Sequence, residues 1–215
     1  MDDVRVVVFD CDGVMFDSKE ANTAYYNDIL NHFHKPALTE KQLAYAHQHA
    51  VDAVLSFLFD DPEVLEAARA YQQNMGYRRF IPYMKMEPEL RDLLEWLKPR
   101  YKTAVATNRT YTMGWVMETF QLNPYFDRVV CAGDVPHPKP EPDILVDILD
   151  HFRIEPHEAI YVGDSSVDES AARAARVPLV AYANPSLSAT YHIHRLGQLK
   201  AILGDRPVRT DTLDY

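Results

Sequence analysis

Asp10 and Asp12 stand one residue apart at the end of an apolar run, in "VVVFDCDGVMFDS" over residues 6–18. Carboxylates this close repel unless a cation binds between them or one takes a proton. A fold has no need of that pair, so it points to a reaction. Strand side chains alternate, which predicts Asp10 and Asp12 on one side and Cys11, a small buried hydrophobe, on the other. Gly13 then lets the backbone turn sharply away. Three later places carry polar groups suited to one anionic ligand. Thr107 and Asn108 follow "AVA" and offer a hydroxyl and an amide. Lys139 lies in "HPKPEPD" (137–143), between prolines that stiffen the segment and lower the entropy lost in aiming its ammonium. Asp164 ends an apolar run in "YVGDSSVDES" (161–170), and Asp168 follows about one helical turn later. Four carboxylates, a hydroxyl and a lysine suit Mg²⁺, which binds through one or two carboxylates, retained waters and phosphate oxygens.

These groups need strands that end together. Apolar β-rich runs recur at 4–9, 102–107, 128–132, 159–163 and 177–183. Their continuity predicts parallel strands covered on both faces. Helical patterns lie between the later ones, at 87–99, 111–121, 141–152 and 166–176. The alternation predicts an α/β fold with a doubly wound parallel sheet, whose ligand sits beyond the carboxyl ends of the strands. Residues 17–83 break the pattern with helices only. The first, 17–33, is expected to be capped by Asp17 or Ser18, and another to start with Asp61 as N-cap and Pro62 in the first turn. The expected organisation is a core of 1–16 and 84–204, a small helical insert at 17–83 after the first strand, and a polar tail at 205–215.

"DCDGV", "TN", "KPEP" and "GDSSVD", in this order, resemble the four motifs of the haloacid dehalogenase-like superfamily, closest to its phosphatase branch with a helical cap. The resemblance covers nearly the whole chain short of the tail. It implies a Mg²⁺-dependent phosphatase acting on a small phosphorylated metabolite. Asp10 would attack phosphorus and form an aspartyl-phosphate. Asp12 would protonate the leaving oxygen, then deprotonate the hydrolytic water. Thr107 would hold phosphoryl oxygens, and Lys139 would neutralise charge on Asp10 and the phosphoryl group. Asp164 would bind Mg²⁺ with Asp10 and the Asp12 backbone carbonyl, while Asp168 would orient Lys139 or a metal-bound water. An acid at position 12 argues for phosphoryl transfer over dehalogenation, since halide leaves without a proton. A sugar-phosphate mutase of the β-phosphoglucomutase type uses the same two aspartates. A non-catalytic, phospho-accepting protein is the reading from another class, and the complete motif set argues against it.

In the insert, His47, Gln48 and His49 fall where capped relatives choose substrates, and a helix junction carrying two ordinary histidines is the alternative. Arg109 could reach the substrate's second polar group or lie on the surface at a helix start. His192 and His194 have metal-like spacing without an apparent third ligand, so a half-exposed strand or loop is the better reading. Tyr77, Phe80 and Tyr83 are expected in hinge and core packing.

The composition is that of a globular protein, with 47% hydrophobic and 25% charged residues. A net charge of −10 argues against nucleic-acid binding, and no apolar run approaches membrane-spanning length. Two cysteines make no disulfide framework, and no basic leader precedes the first strand, so a soluble cytoplasmic protein is expected.

Overall fold

The structure is a computed structural model that describes residues 3–204. Six parallel strands form the central sheet: β1 (Val6–Phe9), β4 (Lys102–Thr107), β5 (Arg128–Cys131), β6 (Ala159–Gly163), β7 (Leu179–Tyr182) and β8 (Tyr191–Ile193). Their order is β5-β4-β1-β6-β7-β8, with β1 at the centre, aligned so that Phe9 lies beside Val105 and Val162. All five expected strands are present. The sixth, β8, holds His192, and His194 follows it directly. The ring of His192 is bonded to the Leu187 carbonyl at 3.0 Å, and β8 lies at the end of the sheet, so "YHIHR" is an edge strand and the loop after it.

Alternation sorts the strand side chains onto two faces. Val6, Val8, Ala104, Ala106 and Tyr161 pack against α7 (Asp143–Phe152) and α8 (Ser166–Ala175). Val7, Phe9, Val105, Ile160 and Val162 pack against α5 (Leu90–Leu97), α6 (Thr112–Thr119) and α9 (Leu199–Leu203). Both faces are covered, which is why the strands read as unbroken apolar runs.

Four helices fill the insert: α1 (Lys19–His32), α2 (Glu40–Gln48), α3 (Val51–Leu58) and α4 (Pro62–Met75). Its two connections to the core pair as a short antiparallel ribbon, β2 (Phe16–Asp17) with β3 (Lys85–Met86). Two-residue strands have no readable period, so the sequence gives no sign of this pairing. Asp61 caps α4, accepting from the N–H groups of Glu63 and Val64 at 2.9 and 3.3 Å, with Pro62 in the first turn. Asp61→Ala should destabilise the protein by about 1 kcal/mol in urea titration, without altering catalysis. At α1 the expectation needs correction. Ser18 occupies the N-cap position but accepts no first-turn N–H, its side chain being turned to donate to the Asp12 carboxylate, while Asp17 Oδ1 accepts from the Lys19 N–H at 3.1 Å.

Candidate active site

Asp10 follows β1 directly, Thr107 ends β4, and Asp164 follows β6. These neighbouring parallel strands present the three residues at one edge of the sheet. Lys139 reaches that edge from the loop before α7, and Asp168 from the first turn of α8. The ammonium of Lys139 donates to Asp10 Oδ1 at 2.6 Å and Asp168 Oδ1 at 2.7 Å. It also reaches the Tyr161 hydroxyl at 2.8 Å and the Ala106 carbonyl at 3.1 Å. Lys139 is buried, and Asp168 has no solvent exposure at all.

Asp168 is fully engaged. Its Oδ1 also accepts from the Tyr161 hydroxyl at 2.6 Å, and its Oδ2 from the Ser165 hydroxyl and N–H at 2.6 and 3.0 Å. Burial works to raise the Asp168 pKa, but Lys139 and these donors outweigh it and hold the carboxyl below the usual range. Asp10 shifts the other way. Burial raises it well above the usual range, Lys139 only partly opposes this, and the charges of Asp168 and Asp164 add to it. One lysine between two carboxylates therefore favours ionised Asp168. Among the described residues none donates to Asp10 Oδ2.

Asp12 lies beyond the strand, and its carboxylate belongs to a separate pair. Arg109 grips it with Nε on Oδ2 and Nη2 on Oδ1, both at 2.7 Å. Burial would raise the Asp12 pKa, but the Arg109 charge and hydrogen bonds, with Ser18, bring it below the usual value. The repulsion expected between Asp10 and Asp12 is thus met by one buried cation for each. Arg109 is buried, not at the surface, and rests against the Tyr77 ring at 4.7 Å from its centroid.

The remaining candidates divide. Thr107 is buried, and its hydroxyl accepts from the Arg109 N–H at 3.1 Å. Asn108 Nδ2 donates to the Lys139 carbonyl at 2.9 Å and, across to the insert, to the Gln48 carbonyl at 3.1 Å. Gln48 Oε1 also accepts from Ser166 at 3.4 Å, so Gln48 ties insert to core at two points. His47 lines the same cavity as Asp12 and Arg109. His49 lines that cavity too, with its ring stacked on Tyr45 at 3.8 Å and bonded to the Tyr45 carbonyl.

Asp10, Asp164 and Asp168 can each offer an oxygen within 4.8 Å of the others. With Asp168 occupied, Asp10 and Asp164 remain to hold a divalent cation. Burial and the Asp168 charge push Asp164 up to about 7, a sign of negative charge short of a counterion. Gly13, at φ +88°, leaves room for the Asp164 carboxylate, which an added Cβ would overlap. Hard oxygen donors of this kind fit Mg²⁺.

Sequence reasoning missed Tyr161, Ser18, Asn22 and Tyr77 as site residues. Tyr161 carried a signal: it is the one polar-tipped side chain in the buried "AIYVG" strand. Tyr77 was expected only to pack, yet its hydroxyl donates to Asn22 Oδ1 at 2.7 Å, while Tyr83 is half exposed.

The described residues form an α/β protein with a buried acid–lysine cluster at the carboxyl end of a parallel sheet and a helical insert beside it. The model of the haloacid dehalogenase-like hydrolases matches residues 7–182, and the chain belongs to that family. Phosphoglycolate phosphatase 1 of Pseudomonas aeruginosa is 29% identical over 191 residues, spanning 80% of this chain and 67% of its own. Pyrophosphatase PpaX of Bacillus mycoides is 27% identical over 178 residues, 77% of each chain. The crystal structure of a haloacid dehalogenase-superfamily hydrolase of subfamily IA, variant 1, from Geobacter sulfurreducens is 41% identical, with a TM-score of 0.77 over 94% of this chain and 97% of that one. No helix among the described residues is long and apolar enough to cross a membrane.

Proposed function

We propose that this protein is a Mg²⁺-dependent phosphatase that hydrolyses a small phosphomonoester through an aspartyl-phosphate on Asp10. The observation that carries this reading is the buried Lys139 bridge between Asp10 and Asp168. It neutralises one oxygen of Asp10 and leaves Oδ2 without a described donor. That pattern suits a carboxylate whose second oxygen reacts. The relatives named for phosphoglycolate and pyrophosphate support a small phosphorylated substrate. We read residues 17–83 as a cap domain on a core of 1–16 and 84–204, and the protein as cytoplasmic.

Asp10 Oδ2 attacks phosphorus in line with the leaving oxygen, and Asp12 gives that oxygen its proton. The alcohol departs, and Asp12 takes a proton from the water that then cleaves the aspartyl-phosphate. Arg109 holds Asp12 in the ionised form this second step needs. The first step starts from protonated Asp12, so the Arg109 contact must loosen when substrate enters. Thr107 and Lys139 stabilise charge on the transferring group. Mg²⁺ would be held by Asp10, Asp164 and the Asp12 carbonyl, and would neutralise phosphoryl oxygens there.

Phosphate release from small esters tests this reading. Chelation should abolish it and Mg²⁺ restore it, and full activity in excess chelator would sink the assignment. A pH signature should accompany the metal. Asp164 has a raised folded pKa, so without a cation its contribution is full near its unfolded value. Stability is then lost as pH rises to about 7. In chelator the melting temperature should therefore fall between about pH 5 and pH 8, and Mg²⁺ should raise it more at the higher pH. Equal Mg²⁺ shifts at both pH values would exclude Asp164 as a ligand.

A further inference from the structure

A chain of hydrogen bonds running from Arg109 into the insert ends on a donor with nothing to bind. A guanidinium only donates, so where Arg109 Nη2 meets the Tyr77 oxygen at 3.2 Å the oxygen accepts. The hydroxyl's own hydrogen goes to Asn22 Oδ1 at 2.7 Å. That turns Asn22 Nδ2 toward His47 Nδ1, 3.2 Å away. An amide nitrogen cannot accept, so Nδ1 must, and the ring hydrogen sits on Nε2. His47 Nε2 is buried and has no partner. Burial also lowers the His47 pKa, in keeping with a neutral ring.

A second orphan belongs to a residue lining the same cavity. Asn108 Nδ2 donates to two carbonyls, those of Gln48 and Lys139, which fixes the orientation of the amide. Its Oδ1 is therefore an acceptor, and it too is buried without a partner. His47 and Asn108 line one cavity of about 60 Å³ together with Asp12 and Arg109. Unpaired buried polar atoms are uncommon and costly, so two on residues that line one cavity point to a ligand that completes both.

We propose that His47 and Asn108 form a donor–acceptor pair that recognises a hydroxyl on the leaving alcohol, making the preferred substrates phosphate esters of small polyhydric alcohols. This rests on the phosphatase reading, in which Asp12 marks where the leaving group stands. A hydroxyl accepts from Nε2–H and donates to Oδ1 with one group. A carboxylate accepts only and leaves Oδ1 unpaired. A plain alkyl group leaves both unpaired. Sites built to bind a hydroxyl reject the analogue that lacks it far more strongly than apolar pockets reject a methylene.

The test compares kcat/KM for 2-hydroxyethyl phosphate, ethyl phosphate and 2-phosphoglycolate with Mg²⁺. The hydroxyl ester should lead each of the others by at least about tenfold. His47→Phe keeps a ring of similar shape but removes the donor, and should bring the hydroxyl-to-ethyl ratio close to one. His47→Gln restores an N–H donor and should recover part of the ratio, which also guards against misfolding of the first variant. Equal rates in the wild type, or a lead for the carboxylate, would overturn the inference while leaving the phosphatase reading intact. A ratio unmoved by His47→Phe would overturn it as well. If no ester releases phosphate under any condition, the phosphatase reading fails and this inference fails with it.

Discussion

Asp10→Asn should lower phosphate release by a factor of about 10⁴ or more and leave no acid-stable phosphoenzyme. An amide oxygen is a poor nucleophile, and no neighbour replaces it. Lys139 occupies the other oxygen, Asp12 is committed to Arg109, and Asp168 has both oxygens bonded. The same change should not harm the fold. The carboxyl of Asp10 is pushed up by burial and by the charges around it, so its ionised form is carried at a loss in the folded state. Removing that charge should leave the melting temperature in chelator unchanged or higher, the usual pattern for a site that trades stability for reactivity. Phosphate release, rapid-quench trapping and thermal melts on one preparation check all three. Near-normal turnover in the variant would move the nucleophile elsewhere.

Lys139→Met should produce the largest loss of stability of any single change at the site, about 3–5 kcal/mol at neutral pH in chelator. The lysine is buried and is shared by two buried carboxylates, so its removal strands negative charge in a medium that solvates it poorly. Its own pKa is raised because the attraction of Asp10 and Asp168 exceeds the burial penalty. That stabilisation is complete below the unfolded lysine value and is lost only as pH climbs past it, so it holds constant through the neutral range. The defect should nevertheless shrink in acid. Asp10 is the carboxyl most ready to take a proton, and once neutral it no longer needs a partner. Adding Asp10→Asn to Lys139→Met should recover part of the lost stability for the same reason. Urea titrations at two pH values measure this. A defect that is independent of pH, with no rescue in the double variant, would mean that Lys139 acts through packing and not through charge. Activity in Lys139→Met should fall with stability, because Asp10 would then prefer the protonated form.

Much of this protein was decided by local pattern. The apolar runs and the helices between them required a parallel sheet covered on both sides. A parallel sheet brings all its carboxyl ends to one edge, so Asp10, Thr107 and Asp164 had to meet there however far apart they stand in the chain. The absence of strands between 17 and 83 was equally plain, because helical spacing is a property of neighbouring residues. Which charge neutralises which was not legible. Arg109 and Asp12 are 97 residues apart, and their bidentate contact depends on rotamers and on burial beneath the insert. Position alone left Arg109 a surface residue or a substrate ligand with equal warrant. Ser18 likewise reads as a helix cap until a nearby carboxylate competes for its hydroxyl. Tyr77, Asn22 and His47 come from three separate segments, and only their packing lines them up as one hydrogen-bond chain with a fixed direction. Residue types set what each group can donate or accept. The tertiary structure decided which of those capacities are already used and which, at His47 and Asn108, are left open in a buried space where an unmet hydrogen bond is costly.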